Sequence, residues 1–153
     1  MSGANVMSAT GLEIFDKSLQ TTNIWLKEIA DGIGPDRQLA WRALGVVLRT
    51  LRDRLPADES AHLAAQLPLI VRGAYYDQYR PAVQPITIRS REEFIQCVAD
   101  GLQGERAVDP DAVTRSVLRV VGHHIDPGET EKVRQSLPKD VRMLWPDGEA
   151  QEQ

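Results

Sequence analysis

The chain is predicted to be all-α: two tandem helical copies, about four helices each, packed as one pseudo-two-fold bundle. Three observations carry that prediction. Apolar residues recur at helical spacing, and strict period-two alternation is almost absent. One stretch is written twice: Trp25-Leu-Lys-Glu-Ile-Ala-Asp-Gly-Ile33 returns as Phe94-Ile-Gln-Cys-Val-Ala-Asp-Gly-Leu102 at an offset of 69 residues. The block from Arg54 to Pro68 returns as His124 to Pro138 at an offset of 70, so one residue is inserted between the matched blocks. An internal repeat constrains architecture ahead of local propensity. Proline, glycine and capping residues punctuate both copies.

The first helix runs from Leu12 to Ile33 on a stripe of Phe15, Leu19, Trp25, Ile29 and Ile33, with an interruption expected near Thr21-Thr22. Gly32 and Gly34 stop it, and Pro35 begins the next segment. The second helix buries Ala40, Ala43, Leu44, Val47, Leu48, Leu51 and Leu55, and its opposite face carries Arg42, Arg49, Arg52 and Asp53. Pro56 ends it. Asp58 or a neighbour is expected to cap a short third helix through Leu63 to Leu67, and Pro68 opens a fourth reaching Tyr76. The connector, 77–89, contains Pro81 and Pro85, which predict an extended path without a helix. Ile86-Thr-Ile88 has no partner strand in sight and reads as loop. In the second copy, Ser90-Arg-Glu-Glu93 forms a capping box, and Asp109-Pro110 pairs an N-cap with proline at the first helical position. Asp126-Pro-Gly-Glu129 repeats the acidic cap. Leu137-Pro138 opens a last helix ending at Trp145-Pro146. The expected division is one domain over 12–146, with repeat 1 at 12–76 and repeat 2 at 90–146. Residues 1–11 and 147–153 read as flexible tails.

A chain of 153 residues, 42% hydrophobic and 26% charged, has the composition of a globular protein able to bury a core without staples. The formal charge of −4 is uneven: residues 35–91 hold nine Arg against five acids, a net +4, while residues 92–153 carry −6. The single cysteine, Cys97, cannot form an internal disulfide and reads as a small hydrophobe on a helix face. No leader or membrane-length apolar run is read, so a cytoplasmic location without membrane contact is expected.

No motif for catalysis or cofactor binding stands out; catalytic, metal and cofactor sites are all read as none. His123-His124 with Asp126 is a weak metal cluster, because adjacent helical side chains diverge by about 100° and zinc sites need three or four convergent ligands. A helix end that suits histidine is the simpler reading. Residues matched between copies, namely Asp31/Asp100, Glu59/Glu129, Arg49/Arg119 and Arg72/Arg142, are assigned to scaffolding, each within its own copy. Tyr75 matches Trp145 as an aromatic anchor. Tyr76, Tyr79 and Arg80 have no counterparts of their type, and such residues are enriched in interface hot spots.

The blocks Leu51-Arg-Asp-Arg-Leu-Pro56, Ala65-Gln-Leu-Pro68, Val71-Arg-Gly-Ala-Tyr-Tyr76, Arg91-Glu-Glu-Phe94 and Leu144-Trp-Pro146 resemble the bacterial family known as domain of unknown function 2267. The resemblance covers roughly residues 12–146. It implies a small cytoplasmic all-helical protein and brings no activity, ligand or catalytic residue to this chain.

The function expected is a non-enzymatic interaction module for another protein. Its candidate partner-binding residues are Tyr76, Tyr79 and Arg80, helped by the arginine face Arg42, Arg49 and Arg52. Two alternatives stand beside it. One is nucleic-acid binding through the basic middle segment, disfavoured by the acidic whole. The other is an enzyme or small-ligand binder with a cleft between the repeats.

Overall fold

A computed structural model of the chain describes residues 10–145. The described residues form eight α-helices and no strand: α1 (Glu13–Ile33), α2 (Arg37–Arg54), α3 (Ala57–Ala65), α4 (Leu69–Tyr76), α5 (Arg91–Gly101), α6 (Pro110–His124), α7 (Pro127–Gln135) and α8 (Lys139–Arg142). A one-turn 3₁₀ helix, Pro81–Val83, lies in the connector.

The helix starts follow from local chemistry. Ser90 Oγ accepts from the Glu93 amide while the Glu93 carboxylate accepts from Ser90, so both arms of the capping box are present. Asp109 and Asp126 cap α6 and α7, each with proline at the first turn. Asp36, for which no cap was expected, caps α2 by accepting from the Leu39 amide at 3.0 Å. Asp58 does not cap α3; Pro56 takes the N-cap position and no side chain bonds there. Pro68 and Pro138 fill the same position of α4 and α8. The α4 amide left free is served from outside, because Ile70 N donates to Ser18 Oγ of α1 at 3.0 Å.

Other expectations change. α1 runs unbroken through Thr21-Thr22, and Gly32 lies inside it; Gly34, at φ 119°, is the terminator. The last helix stops at Arg142 and a turn carries the chain to Trp145. Pro146 and the segment 147–153 lie outside the described residues, as does most of 1–11. Thr10, within that expected tail, is tied to α1 through its backbone N–H and its hydroxyl on Asp16 Oδ1.

The core is one buried apolar cluster drawing on all eight helices. α1 supplies Trp25, Leu26 and Ile29; Phe15 and Leu19 of the predicted stripe stay on the surface. α2, through Ala43, Leu44, Val47, Leu48 and Leu51, runs through the middle and packs on α1, α4, α5 and α6. Each such Val or Leu contributes about 1.5–3 kcal/mol on full burial. α6 packs on α1 and α5 as well as α2, and α3 meets α7. Tyr75 and Trp145 are both fully buried, and Tyr75 Oη donates to the Ser60 carbonyl. Burial raises the Tyr75 phenol well above its ordinary range. Cys97 is half-buried against the core, and burial first, then Asp100, raises its thiol, which suits an inert side chain. No helix among the described residues is long and apolar enough to cross a membrane.

Candidate functional site

Helix α2 forms the floor of a surface trough. At one end, Leu19 and Leu26 of α1, Trp41 of α2 and Ile70 of α4 line an apolar groove of about 560 Å³, edged by Arg37 and Arg42. Trp41 and Arg42 also line the next stretch, which passes Gly45 and Arg49 between Gly73 of α4 and Gly101 of α5. Arg49 and Gly101 line the last stretch, which ends at Asp53, Ile86 and Cys97. The shared lining residues make the three stretches one trough.

The apolar mouth follows from helix geometry. Ala40, Ala43 and Leu44 turn into the core, so Trp41, one residue on from Ala40, faces outward and is 38% exposed. Leu19 and Ile70 are exposed beside it, next to the Ser18–Ile70 hydrogen bond that fixes α4 on α1. The guanidiniums are held in place. Arg42 donates to the carbonyls of Gly101 and Gln103 and pairs with Glu105 at 3.1 Å. It therefore satisfies free carbonyls at the C-terminal end of α5, where a cation is favoured by the helix dipole. Arg49 donates to the Ala74 carbonyl at 3.1 Å and lies over Gly45. Burial, reinforced by the like charges of Arg52 and Arg42, lowers the Arg49 guanidinium from its usual value, against the pull of Asp77.

Of the six residues singled out from sequence, Arg42 and Arg49 line the middle of the trough. Arg52 does not belong to an exposed face: it is only 3% exposed. Its guanidinium donates to the carbonyls of Tyr75 and Asp77 and binds both carboxylate oxygens of Asp53. Tyr79 is half-buried, with its ring 5.0 Å from the Arg52 guanidinium and its hydroxyl bonded to Gln84 Oε1. The Gln84 amide in turn donates to the carbonyls of Arg52 and Leu55 and to Ser60 Oγ. The connector is therefore pinned to α2 and α3. It also contains a 3₁₀ turn where the prolines had suggested none, because Pro81 opens the turn and its missing N–H costs nothing there. Tyr76 and Arg80 remain exposed; the Arg80 carbonyl accepts from the Val83 amide at 3.1 Å, while its guanidinium makes no hydrogen bond or ion pair among the described residues.

The matched charged pairs divide. Arg72 and Arg142 stay within their own copies, donating to the carbonyls of Leu67 and Leu137. Arg49 does likewise, but Arg119 lies against Gly32 of α1, in the other copy. His124 also reaches across. Its ring stacks on Trp25 at 5.2 Å and its Nε2 bonds Glu28 at 2.8 Å, while His123 meets it edge-on.

A family model for uncharacterized conserved proteins (DUF2267) matches residues 22–144, most of the helical body just described. The chain belongs to this family. Among curated proteins, none matches it. The DUF2267 match takes in α2 and the trough apart from Leu19: it begins at residue 22, so Ile14 and Leu19, the outer apolar side chains of α1, precede it. Leu19, Trp41 and Ile70 were absent from the sequence-derived candidates. The signal that could have found them was a tryptophan one position off the buried face of a long helix.

Proposed function

We propose that this DUF2267 protein is a non-enzymatic interaction module whose trough along α2 takes an amphipathic helix of a partner protein. The carrying observation is the exposed apolar set Leu19, Trp41 and Ile70 around a groove that continues past Arg42 and Arg49. A helix laid in such a groove buries its apolar stripe on the mouth. Acidic residues on its flank would meet Arg37, Arg42 and Arg49, in the segment that carries +4. Tyr76 follows the Gly73–Ala74 wall on α4, so it and Arg80 are assigned to the rim of the same surface. Nucleic-acid binding gains no support, since the chain as a whole carries −4 and Arg52 is buried.

Selection of a displayed random-peptide library on the wild type and on Trp41→Lys tests this reading. Amphipathic helical sequences with acidic flanks, enriched on the wild type and lost on the variant, are the expected result. Equal enrichment on both proteins, or none on either, refutes it. The second reading is a small apolar ligand in the mouth, favoured by a volume of about 560 Å³ within the ordinary range of ligand sites. A thermal-shift screen in which small apolar compounds raise the melting temperature of the wild type but not of Trp41→Lys would favour it instead.

We further propose that the two copies form one domain about a pseudo-two-fold axis. Two features of the packing support this. The matched helices α2 and α6, and α3 and α7, meet each other, and the remaining contacts include the reciprocal pairs α1–α6 with α5–α2 and α1–α4 with α5–α8.

A further inference from the structure

Where α3 meets α7, two carboxyl groups come together far from the trough. Glu59 and Glu129 hold equivalent places in the two sequence blocks, each the third residue of its helix. Neither uses that place for a capping box: Pro56 at the start of α3 has no side-chain bond, and α7 is capped by Asp126, which accepts from the Glu129 amide. Instead the two side chains stand where α3 packs on α7, and the charge of Glu59 acts on Glu129. Glu59 Oε2 and Glu129 Oε2 are both buried and both lack a hydrogen-bond partner, and Glu129 is only 9% exposed.

Two buried carboxylate oxygens cannot satisfy each other as anions, because each accepts and neither donates. A cation or a proton must stand between them. The surrounding bases do not fill that role. Lys132 of α7 and His62 of α3 are exposed and bond to neither group. Arg72 of α4 donates to the carbonyls of Ala64 and Leu67, His124 of α6 bonds Glu28, and Arg142 of α8 donates to the Leu137 carbonyl. Asp126 adds further negative charge and Lys132 offsets part of it. A hard divalent ion takes six or more oxygens, and no group of three or more His, Cys, Asp or Glu side chains placed to hold a metal occurs among the described residues. A proton needs only the two oxygens and no cavity.

We propose that Glu59 and Glu129 share one proton, which forms a pH-responsive link between the two halves of the chain at the α3–α7 contact. Burial first, and then the hydrogen bond and charge of Glu59, raise Glu129 from 4.5 to about 7. The sign follows from linkage. The folded state keeps a proton that the unfolded state gives up, so the link is complete below 4.5 and is lost as pH rises through about 7. Glu93, lowered by the backbone amide of Arg89, acts in the opposite sense, losing its contribution as pH falls. The comparison must therefore be between wild type and variant. None of the residues invoked lines the trough, so the link and the interaction reading stand or fall separately.

Chemical denaturation of the wild type, Glu129→Gln and Glu59→Gln across about pH 5 to 9 tests the link. Relative to either variant, the wild-type folding constant should fall close to tenfold per pH unit between about pH 5 and 7 and then level off, as release of one proton requires. Parallel profiles for all three proteins overturn the proposal. Should the variants fail to fold, a carbon-detected titration of the wild-type glutamate carboxyls decides. One carboxyl titrating near neutrality supports the shared proton, and all of them titrating in the ordinary range overturn it. Stabilisation of the wild type by magnesium or calcium at alkaline pH, absent in Glu129→Gln, would show an ion as the occupant and overturn it as well.

Discussion

Arg52 and Arg80 look alike as charges in a basic segment, yet their surroundings give them opposite weights. Arg52 places its guanidinium between two carbonyls and the Asp53 carboxylate under cover of Tyr79. Arg52→Ala should cost about 3 kcal/mol, because it leaves buried acceptors without a donor, measured as a lower denaturant midpoint with unchanged slope. Arg80→Ala should stay within about 0.5 kcal/mol of wild type in the same measurement. Trp41 offers a second contrast. It is 38% exposed, whereas Trp25 is 1% and Trp145 0% exposed. Iodide should quench only the emission that Trp41→Phe removes, and a helix bound in the trough should protect that emission. Quenching that survives in Trp41→Phe would place a second tryptophan at the surface and contradict the packing of α1 or of the final turn.

Between helices, α2 and α5 pack tightly at Gly101 in the trough wall. A Cβ added at Gly101 would stand 2.6 Å from Val46 Cγ1. Gly101→Ala should therefore destabilise by about 1–3 kcal/mol by overpacking, even though alanine is the better helix former. Adding Val46→Ala should recover part of that loss by opening the space. A double mutant no better than the sum of the singles would mean that α5 does not rest on Val46. Element boundaries of this kind were largely legible. The Ser90 capping box, the Asp109-Pro110 start and the Asp126 cap are local chemistry, and each was readable from a few neighbouring residues. The outward half of α1 was not. Phe15 and Leu19 keep the apolar period of the helix but extend beyond its buried part, and periodicity cannot say where a neighbour stops covering a stripe. The arginine face failed for a related reason. Arg52 shares the side of α2 that carries Arg42 and Arg49, but the connector folds over it, and that cover comes from residues 23 to 27 positions away. Whether charges such as Glu59, Glu129 and Arg119 act within one half of the chain or between halves depends on the α3–α7 and α1–α6 contacts, which no local pattern encodes.

The chain as a whole should behave as one cooperative unit. α1 and α2 are covered by α6, and α5 leans on α2, so each half leaves apolar surface bare without the other. Trp25 makes the dependence concrete: its ring lies under His124, which belongs to the C-terminal half. The connector allows a direct test. Its Pro81–Val83 turn is exposed, while Gln84 and Ile88 on the far side are anchored by hydrogen bonds and burial. A protease site placed at Val83 should be cut without releasing the halves. The nicked protein should co-elute as one species and melt in a single transition seen alike by far-ultraviolet circular dichroism and by tryptophan fluorescence. After separation in denaturant, neither half should regain a cooperative melt alone, because the core it would bury lacks its second wall. Two fragments that part under native conditions, each keeping its helical signal and its own sharp transition, would mean that the shared interior contributes little. The pairing of α2 with α6 would then be a contact between finished domains, and the trough along α2 would have to be reassigned to the N-terminal half alone.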